Sequence, residues 1–357
     1  MKESKFDLKF PDEEAAINYF IKIAYNGILT CPYCKATDKV YRYKKRPKAC
    51  HCKNCNNSFS VFKNTIFEKS KTALRLWFYA IYLFLTSRKG FPAYHLQRFF
   101  ALIFHKVTYK TAFRMFHQIR IAMQNRKLIP FEGTVEMDET YFGGKPRKRP
   151  PKLYDPAAYN ESKKLITGRG ILKTAVAGIK ELKSGRIYTQ VMPFDVHVHG
   201  KKKRLSGLQL KAVIDKTCTP GTTIITDEFP SYDILDKPLK VDLSLLDDDY
   251  TPPCYDHHTV CHKDYEWVAG KTKDSELIHT NGIESHWATV KRSHYGVYHS
   301  ISPKYRQRYL DEYSFRQDTR KMSYQEVFDL FVLRGLIPSA RFRVRALGRL
   351  KGIKHRM

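Results

Sequence analysis

The chain has no run of about 18 uncharged apolar residues, the length a membrane-crossing helix needs. Its most apolar stretch, Leu76 to Thr86 (LWFYAIYLFLT), is too short to span a bilayer and reads as a buried helix. The N-terminus, MKESKFDLKF, spreads Lys, Glu and Asp through its first residues, so it lacks the apolar core of a secretion signal. These absences point to an intracellular, cytoplasmic chain with no membrane partner. There is no internal repeat, which sets aside solenoids and propellers. Acid is scarce: 35 Asp and Glu stand against 64 Lys and Arg, a net charge of +29. That balance excludes an acidic solvating chain, and an enzyme for a small neutral metabolite has no use for such a field. A nucleic-acid partner is the leading explanation, because each phosphate neutralised releases a condensed counterion. Disorder is excluded as well, since 42% of residues are apolar and 13% aromatic.

A length of 357 residues allows two or three domains. Residues 11–26 form an amphipathic pattern with acids in the first turn, as a helix dipole prefers. From Lys69 to about Asn125 the apolar spacing is helical. Leu74, Trp77, Phe78, Ile81 and Tyr82 repeat at three and four residues. A second helix is expected from Ala93 to Phe99, and a third from near Thr108 through Ile119. Two short helices before a longer basic one suggest a helix-turn-helix. From Gly133 the texture changes to strands at 134–137, 174–179, 186–192 and 222–226. Helices are expected at 205–216 and 281–291. Mixed strands and helices over this length read as an α/β or α+β domain. The stretches 143–170 and 246–258 read as loops. The expected division is an N-terminal helix (1–28), a cysteine-bearing module (29–64), a helix-turn-helix region (69–128), a mixed α/β domain (131–325) and a basic tail (326–357).

Eight cysteines in a reducing compartment suggest metal before disulfides. Cys31-Pro-Tyr-Cys34 and Cys52-Lys-Asn-Cys55 are two knuckles, each able to aim two thiolates at one ion, and together they predict one structural Zn²⁺. Cys50 is the weaker alternative to Cys52 or Cys55. Lys44, Lys45, Arg46, Lys48 and Lys53 flank the knuckles and suit either phosphates or solvent. Cys218, Cys254 and Cys261 read as incidental thiols, although His257, His258 and His262 near the last two leave a second metal open.

Three acids stand out by context. Asp138 follows the strand pattern 134–137, Asp227 follows the β-branched run Thr222–Thr226, and Glu284 lies on the helix at 281–291. Acids at buried strand ends are costly unless paired or metal-bound. Two aspartates and a helix-borne glutamate suit two Mg²⁺ (or Mn²⁺) ions, which can activate an attacking oxygen and stabilise a leaving one. Glu136, Glu139 and Glu228 remain alternatives by position. Asn281-x-x-Glu284 also fits a local capping box.

Taken together these residues resemble a known family. Val135-Glu-Met-Asp138-Glu-Thr-Tyr-Phe-Gly-Gly-Lys145, Thr226-Asp227-Glu-Phe-Pro-Ser-Tyr232 and His279-Thr-Asn-Gly-Ile-Glu284-Ser-His-Trp287, with Lys291-Arg292 beyond it, resemble the three catalytic motifs of the IS1595-type (ISXO2-like) insertion-sequence transposases. Gly296-Val-Tyr-His299, Arg308 to Arg316, the cysteine knuckles and Val107 to Ala112 resemble the family too. The resemblance implies an RNase H-like core of the DDE superfamily, with Asp138, Asp227 and Glu284 catalytic and holding the Mg²⁺ ions. It also leaves Asn281 as an alternative third position. The implied partner is double-stranded DNA, at the element's terminal repeats and at the target. Lys291, Arg292, Lys110 and Arg114 would contact it, and acting on two ends implies a homo-oligomer on DNA. Two other classes share parts of the pattern. A metal-dependent nuclease or resolvase would share the acids, and a zinc-ribbon/helix-turn-helix regulator would share the cysteines and the charge.

Overall fold

A computed structural model describes residues 5–104, 107–124, 129–143, 174–192, 205–236, 254–261 and 268–335. The chain divides into two compact units, Met1–Gln124 with Lys321–Met357, and Asn125–Arg320.

The first unit begins with α1 (Lys5–Lys9) and α2 (Glu13–Tyr25). Asp12 starts α2 by accepting from the Ala15 amide at 2.7 Å, the role a short acceptor side chain plays at a helix N-terminus. Three short antiparallel strands follow, in spatial order β1 (Val40–Tyr43), β2 (Arg46–Cys52), β3 (Asn57–Ser60). Then come α3 (Leu74–Thr86), α4 (Ala93–Ile103) and α5 (Tyr109–Met123). The N-terminus of α3 is capped from outside: both Glu13 oxygens accept, from the Leu74 and Arg75 amides at 2.8 and 2.9 Å. The same carboxylate pairs with Lys48 of β2 at 2.7 Å, so one acid ties the small sheet, α2 and α3 together.

Residues Tyr324–Arg334 form a further helix in this unit, packed on α2, α3 and α5. Its Phe328 ring lies 5.2 Å from that of Phe78, and Ile66 donates its amide to the Gly335 carbonyl at 3.0 Å. Sequence pattern alone places 326 onward in a basic tail; the segment up to Arg334 is a capped amphipathic helix instead. The pattern is masked because the Lys and Arg after it dominate the local composition. The strongly basic stretch from Arg341 lies outside the described residues.

The second unit is built on a five-stranded sheet. Its strands are β4 (Thr134–Phe142), β5 (Thr174–Glu181), β6 (Ile187–Val191), β7 (Thr223–Asp227) and β8 (Asp256–Val260), in spatial order β6-β5-β4-β7-β8. The β4–β5 and β5–β6 pairs are antiparallel, whereas β7 is parallel to both β4 and β8. The parallel pair needs a crossover, and the helix α6 (Gly207–Thr217) lies between β6 and β7 in the chain. It covers one face of the sheet, where Leu210, Val213 and Ile214 meet Val135, Met137, Ala177 and Ile179. The helices α7 (Asn281–Ser293) and α8 (Arg306–Asp318) cover the other, where Ile283, Trp287, Val290, Leu310 and Tyr313 meet Phe142, Val176 and Ile187. The mixed α/β architecture expected from the sequence is therefore present.

Three boundaries differ from the pattern. β4 runs through Asp138 to Phe142 because β5 pairs with it along the whole length, Val135 opposite Glu181 to Phe142 opposite Thr174. The stretch 246–258, expected as loop, includes the start of β8, whose polar Asp256-His-His-Thr lacks an apolar signature. The helix expected to end at Phe99 continues to Ile103.

The first unit should unfold in its own transition, and the C-terminal helix should belong to it. Phe331 is fully buried, and Phe331→Ala should cost about 3–5 kcal/mol. In denaturant titrations the loss is expected in the transition of the unit that carries α1–α5, with the other transition unmoved.

Candidate functional site

In the cysteine module the two knuckles converge. Cys31 Sγ lies 3.6 Å from Cys55 Sγ, and Cys34 Sγ lies 3.6 Å from Cys52 Sγ. All four sulfurs fall within 4.8 Å of one another. Tetrahedral Zn²⁺ with its usual thiolate bonds sets its sulfurs roughly 3.8 Å apart, so the site fits that ion. The two knuckles have the same form. Each places a left-handed residue directly after its second cysteine, Lys35 at φ 64° and Asn56 at φ 55°. The amides of Ala36 and Asn57 then point at the Cys34 and Cys55 sulfurs. The Ala36 N–H and the Asn54 side chain lower the Cys34 thiol, while its hydrogen-bonded neighbour Cys52 is raised. Cys50 is fully buried and apart from the cluster, and burial pushes its thiol up to about 11. Among the described residues no other group of three or more potential ligands draws together. His257, weighed for a second metal, instead lies between Thr226 and Asp236, at 2.9 Å from each. His262 lies outside the described residues.

In the second unit the carboxylates come from three elements. Parallel pairing sets Thr134 beside Thr223, Val135 beside Ile224 and Glu136 beside Ile225. Continued along the strands, the same offset sets Asp138 level with Asp227. Burial and the charges of Glu139, Asp227 and Glu284 together push the Asp138 carboxyl up to about 8. Like charges nearby disfavour ionisation of Asp138, although the oxygens of Asp138, Asp227 and Glu284 do not draw together as the four cysteine sulfurs do. Glu284 sits in the first turn of α7, where its Oε1 accepts from the Thr280 hydroxyl at 3.3 Å. Asn281 is exposed, and so is Glu228.

Glu136, the alternative ligand by position, has a different task. It is completely buried, and its oxygens accept from the Gly282 and Ile283 amides at 3.2 and 2.5 Å. It therefore caps α7 from the neighbouring strand, while Thr280 at the cap position makes no side-chain cap bond. The capping-box reading of Asn281 and Glu284 is replaced by this arrangement. Burial raises the Glu136 carboxyl above its ordinary range. Lys180, the two amides and His279, whose Nδ1 lies 2.9 Å away, oppose that rise.

The contact demands glycine. A Cβ on Gly282 would stand 2.5 Å from Glu136 Oε2 and from Lys180 Nζ. One turn on, Trp287 packs against Gly178 of β5, where any side chain would overlap the indole. Gly178 is the register partner of Asp138. Thus the Asn-Gly-Ile-Glu-Ser-His-Trp motif is a docking pattern: Gly282 meets Glu136, Ile283 enters the core, Glu284 faces the acids, and Trp287 covers Gly178. A second tie fixes the Asp227 side. Asp227 Oδ1 accepts from the Phe229 amide at 3.1 Å, and the buried Tyr232 donates its hydroxyl to Glu139 at 3.0 Å. These supports escape sequence reading because each joins residues distant in the chain. The one local signal is a glycine inside an otherwise apolar strand.

The sequence model of the ISXO2-like transposase domain matches residues 130–242 and 249–318, just over half of the chain. The chain belongs to the ISXO2-like transposase family. It is also similar to an uncharacterized protein in transposable element ISH50 of Halobacterium salinarum. The two are 27% identical over 295 residues, which cover 79% of this chain and 83% of that protein. All of Asp138, Asp227 and Glu284 fall inside the family match, as do Glu136, Gly178 and Gly282. The motif at Arg308–Arg316 forms most of α8. There the buried Glu312 accepts from Tyr298 at 3.1 Å and from its i+4 neighbour Arg316 at 2.9 Å.

The remaining transposase residues expected to meet DNA are exposed. Lys291 and Arg292 lie in the last turn of α7. Lys110 and Arg114 lie on the N-terminal half of α5, which starts at a Thr108 cap accepting from Thr111 at 3.2 Å. Residues 144–170 and 201–204 lie outside the described residues.

Two outcomes follow. Cys52→Ser should release one zinc equivalent by atomic absorption, whereas Cys50→Ser should keep the metal. The second concerns Asp138, whose folded carboxyl titrates above its unfolded value of 3.8. In the metal-free protein its proton is held more tightly when folded, so stability is fullest below about pH 4 and falls as pH rises to about 8. At pH 8 in chelator, Asp138→Asn should therefore be more stable than the parent by about 1–3 kcal/mol. Thermal unfolding with and without Mg²⁺ checks this, and a less stable variant in chelator would contradict it.

Proposed function

We propose that the protein binds the terminal inverted repeats of an insertion sequence, cuts the DNA there, and joins the freed ends to target DNA. The observation that carries this reading is that the charges of Asp227 and Glu284 bear on the largely buried Asp138 carboxyl, all three lying within the family-matched region. A sheet with three antiparallel strands and two parallel ones, helices on both faces and acids on its central strands, is what an RNase H-like core of the DDE superfamily would have. Asp138, Asp227 and Glu284 would hold two divalent cations. Bound there, the cations would supply activation of an attacking water or 3′-hydroxyl and stabilisation of the leaving oxygen.

The chain's own residues do the rest. Glu136, with Gly282, sets the depth at which α7 presents Glu284. Tyr232 and Glu139 hold the turn after Asp227 against β4. Lys291, two turns beyond Glu284 on the same helix, would take a DNA phosphate, and Arg292 would add a second contact. In the other unit, zinc on Cys31, Cys34, Cys52 and Cys55 would make a ribbon. The α3–α5 segment would act as a helix-turn-helix presenting Lys110 and Arg114 to duplex DNA. Two ends must be handled together, which calls for at least a dimer on DNA.

The test supplies Mg²⁺ and duplexes bearing the element's ends. Cleavage with joining is expected. Cleavage alone would make the protein a nuclease or resolvase, and binding alone a regulator. Asp138→Asn and Asp227→Asn should each abolish cleavage and leave end binding largely intact, and full cleavage by either variant would refute the assignment.

A further inference from the structure

The small sheet around the cysteines has two unlike faces. Inward, Arg42 of β1 donates to Asn18 at 2.7 Å and pairs with Glu14 at 3.1 Å, both on α2. The buried Cys50 opposes it across the strands. Outward stand the alternate residues. Tyr41 is 50% exposed and Tyr43 is 38% exposed. Tyr41 is in register with His51 on β2, and His51 with Ser58 on β3, where the ring Nδ1 and the hydroxyl lie 3.3 Å apart. This face carries hydroxyl, imidazole and aromatic groups.

Its cations are held by rings rather than by acids. Lys53 Nζ sits 4.8 Å from the Tyr41 ring centre, and Arg46 Cζ sits 5.1 Å from that of Tyr43. Between residues 29 and 64 the only acid is Asp38, against nine Lys and Arg. The structure sorts the six that lie on the hairpin and its knuckle. Arg42 and Lys48 are committed to Glu14 and Glu13 of α2, whereas Lys44, Lys45, Arg46 and Lys53 are exposed. The bases that serve the fold are therefore separate from those the outer face presents.

We propose that this outer face docks on the phosphate–sugar backbone of duplex DNA, with Tyr41, Tyr43, Arg46 and Lys53 as its contacts. The inference rests on the proposed action at DNA ends and names the surface that positions the protein there. Charge complementarity selects the partner: a nearly acid-free surface with four exposed cations within one hairpin and its knuckle suits a polyanion. Tyrosine hydroxyls and Arg or Lys groups are donors that phosphate oxygens accept. A cation resting on a ring is already placed, so less side-chain freedom is lost on contact. Backbone contact sets position and carries no sequence information, so the effect should be the same on every duplex.

The experiment measures binding of the zinc-loaded full chain to two duplexes of equal length, one with the element's ends and one scrambled, across a salt series. Arg46→Gln/Lys53→Gln should weaken both duplexes by the same factor and reduce the slope of log K against log salt by about 2. Tyr41→Ala/Tyr43→Ala should weaken both with zinc content unchanged. If the tyrosine variant loses zinc, the variant of the two exposed cations decides alone. Parent affinity and slope in a zinc-replete cation variant would overturn the proposal, as would a loss confined to the element's ends. Binding of neither duplex by the parent protein would instead refute the DNA-end reading itself.

Discussion

The placement of α7, and of Glu284 on it, depends on the Glu136 carboxylate at the start of that helix. A charge at zero exposure costs several kcal/mol unless its oxygens are satisfied. Here two amides of a helix N-terminus, Lys180 and His279 surround it. The helix dipole favours an anion at that end, so the buried acid and the uncapped helix each supply what the other lacks. The consequence is geometric. With Gly282 pressed on Glu136 and Trp287 on Gly178, α7 has one depth and one rotation over the sheet, and Glu284 follows from both. The first unit uses the same device, where Glu13 of α2 caps α3 and pairs with Lys48.

The acids that the helix completes are arranged against their own stability. Asp138 sits mid-strand, where burial first and three like charges after it raise its carboxyl to about 8. Tyr232 adds a buried hydroxyl fixed to Glu139, so the carboxylates cannot relax by moving apart on that side. On the proposed reading, stability of the empty state is exchanged for readiness to take cations. The trade is affordable because the sheet is covered on both faces by separate apolar clusters.

Much of this was legible in the order of residues, and the part that was not has a common cause. The cysteine knuckles, Asp227 after a β-branched run and the helix from Asn281 are local signals, read within a few positions. Glu136 was visible only as an acid sharing a strand face with Asp138, because its partners lie 146 and 147 residues on. β8 escaped notice because a strand at the sheet edge, rich in His and Thr, lacks the apolar run that marks a buried one. The helix at Tyr324–Arg334 was hidden by the basic composition after it, and its place in the first unit rests on packing against residues three hundred positions earlier.

The net charge acquires a sharper meaning from the same contacts. Six acids used inside the fold each take a base with them: Glu13 takes Lys48, Glu14 takes Arg42, Asp7 takes Arg75, Glu181 takes Arg186, Asp215 takes Lys211 and Glu312 takes Arg316. Pairing in this way leaves the excess untouched. Even if all 35 acids were matched one to one, 29 Lys and Arg would have no partner within the chain. The unmatched cations must therefore be balanced by small counterions or by a polyanion. Release of those counterions is what makes the polyanion the favoured choice at low salt. Among the described residues, the six pairs above show which bases are spent on acids inside the fold.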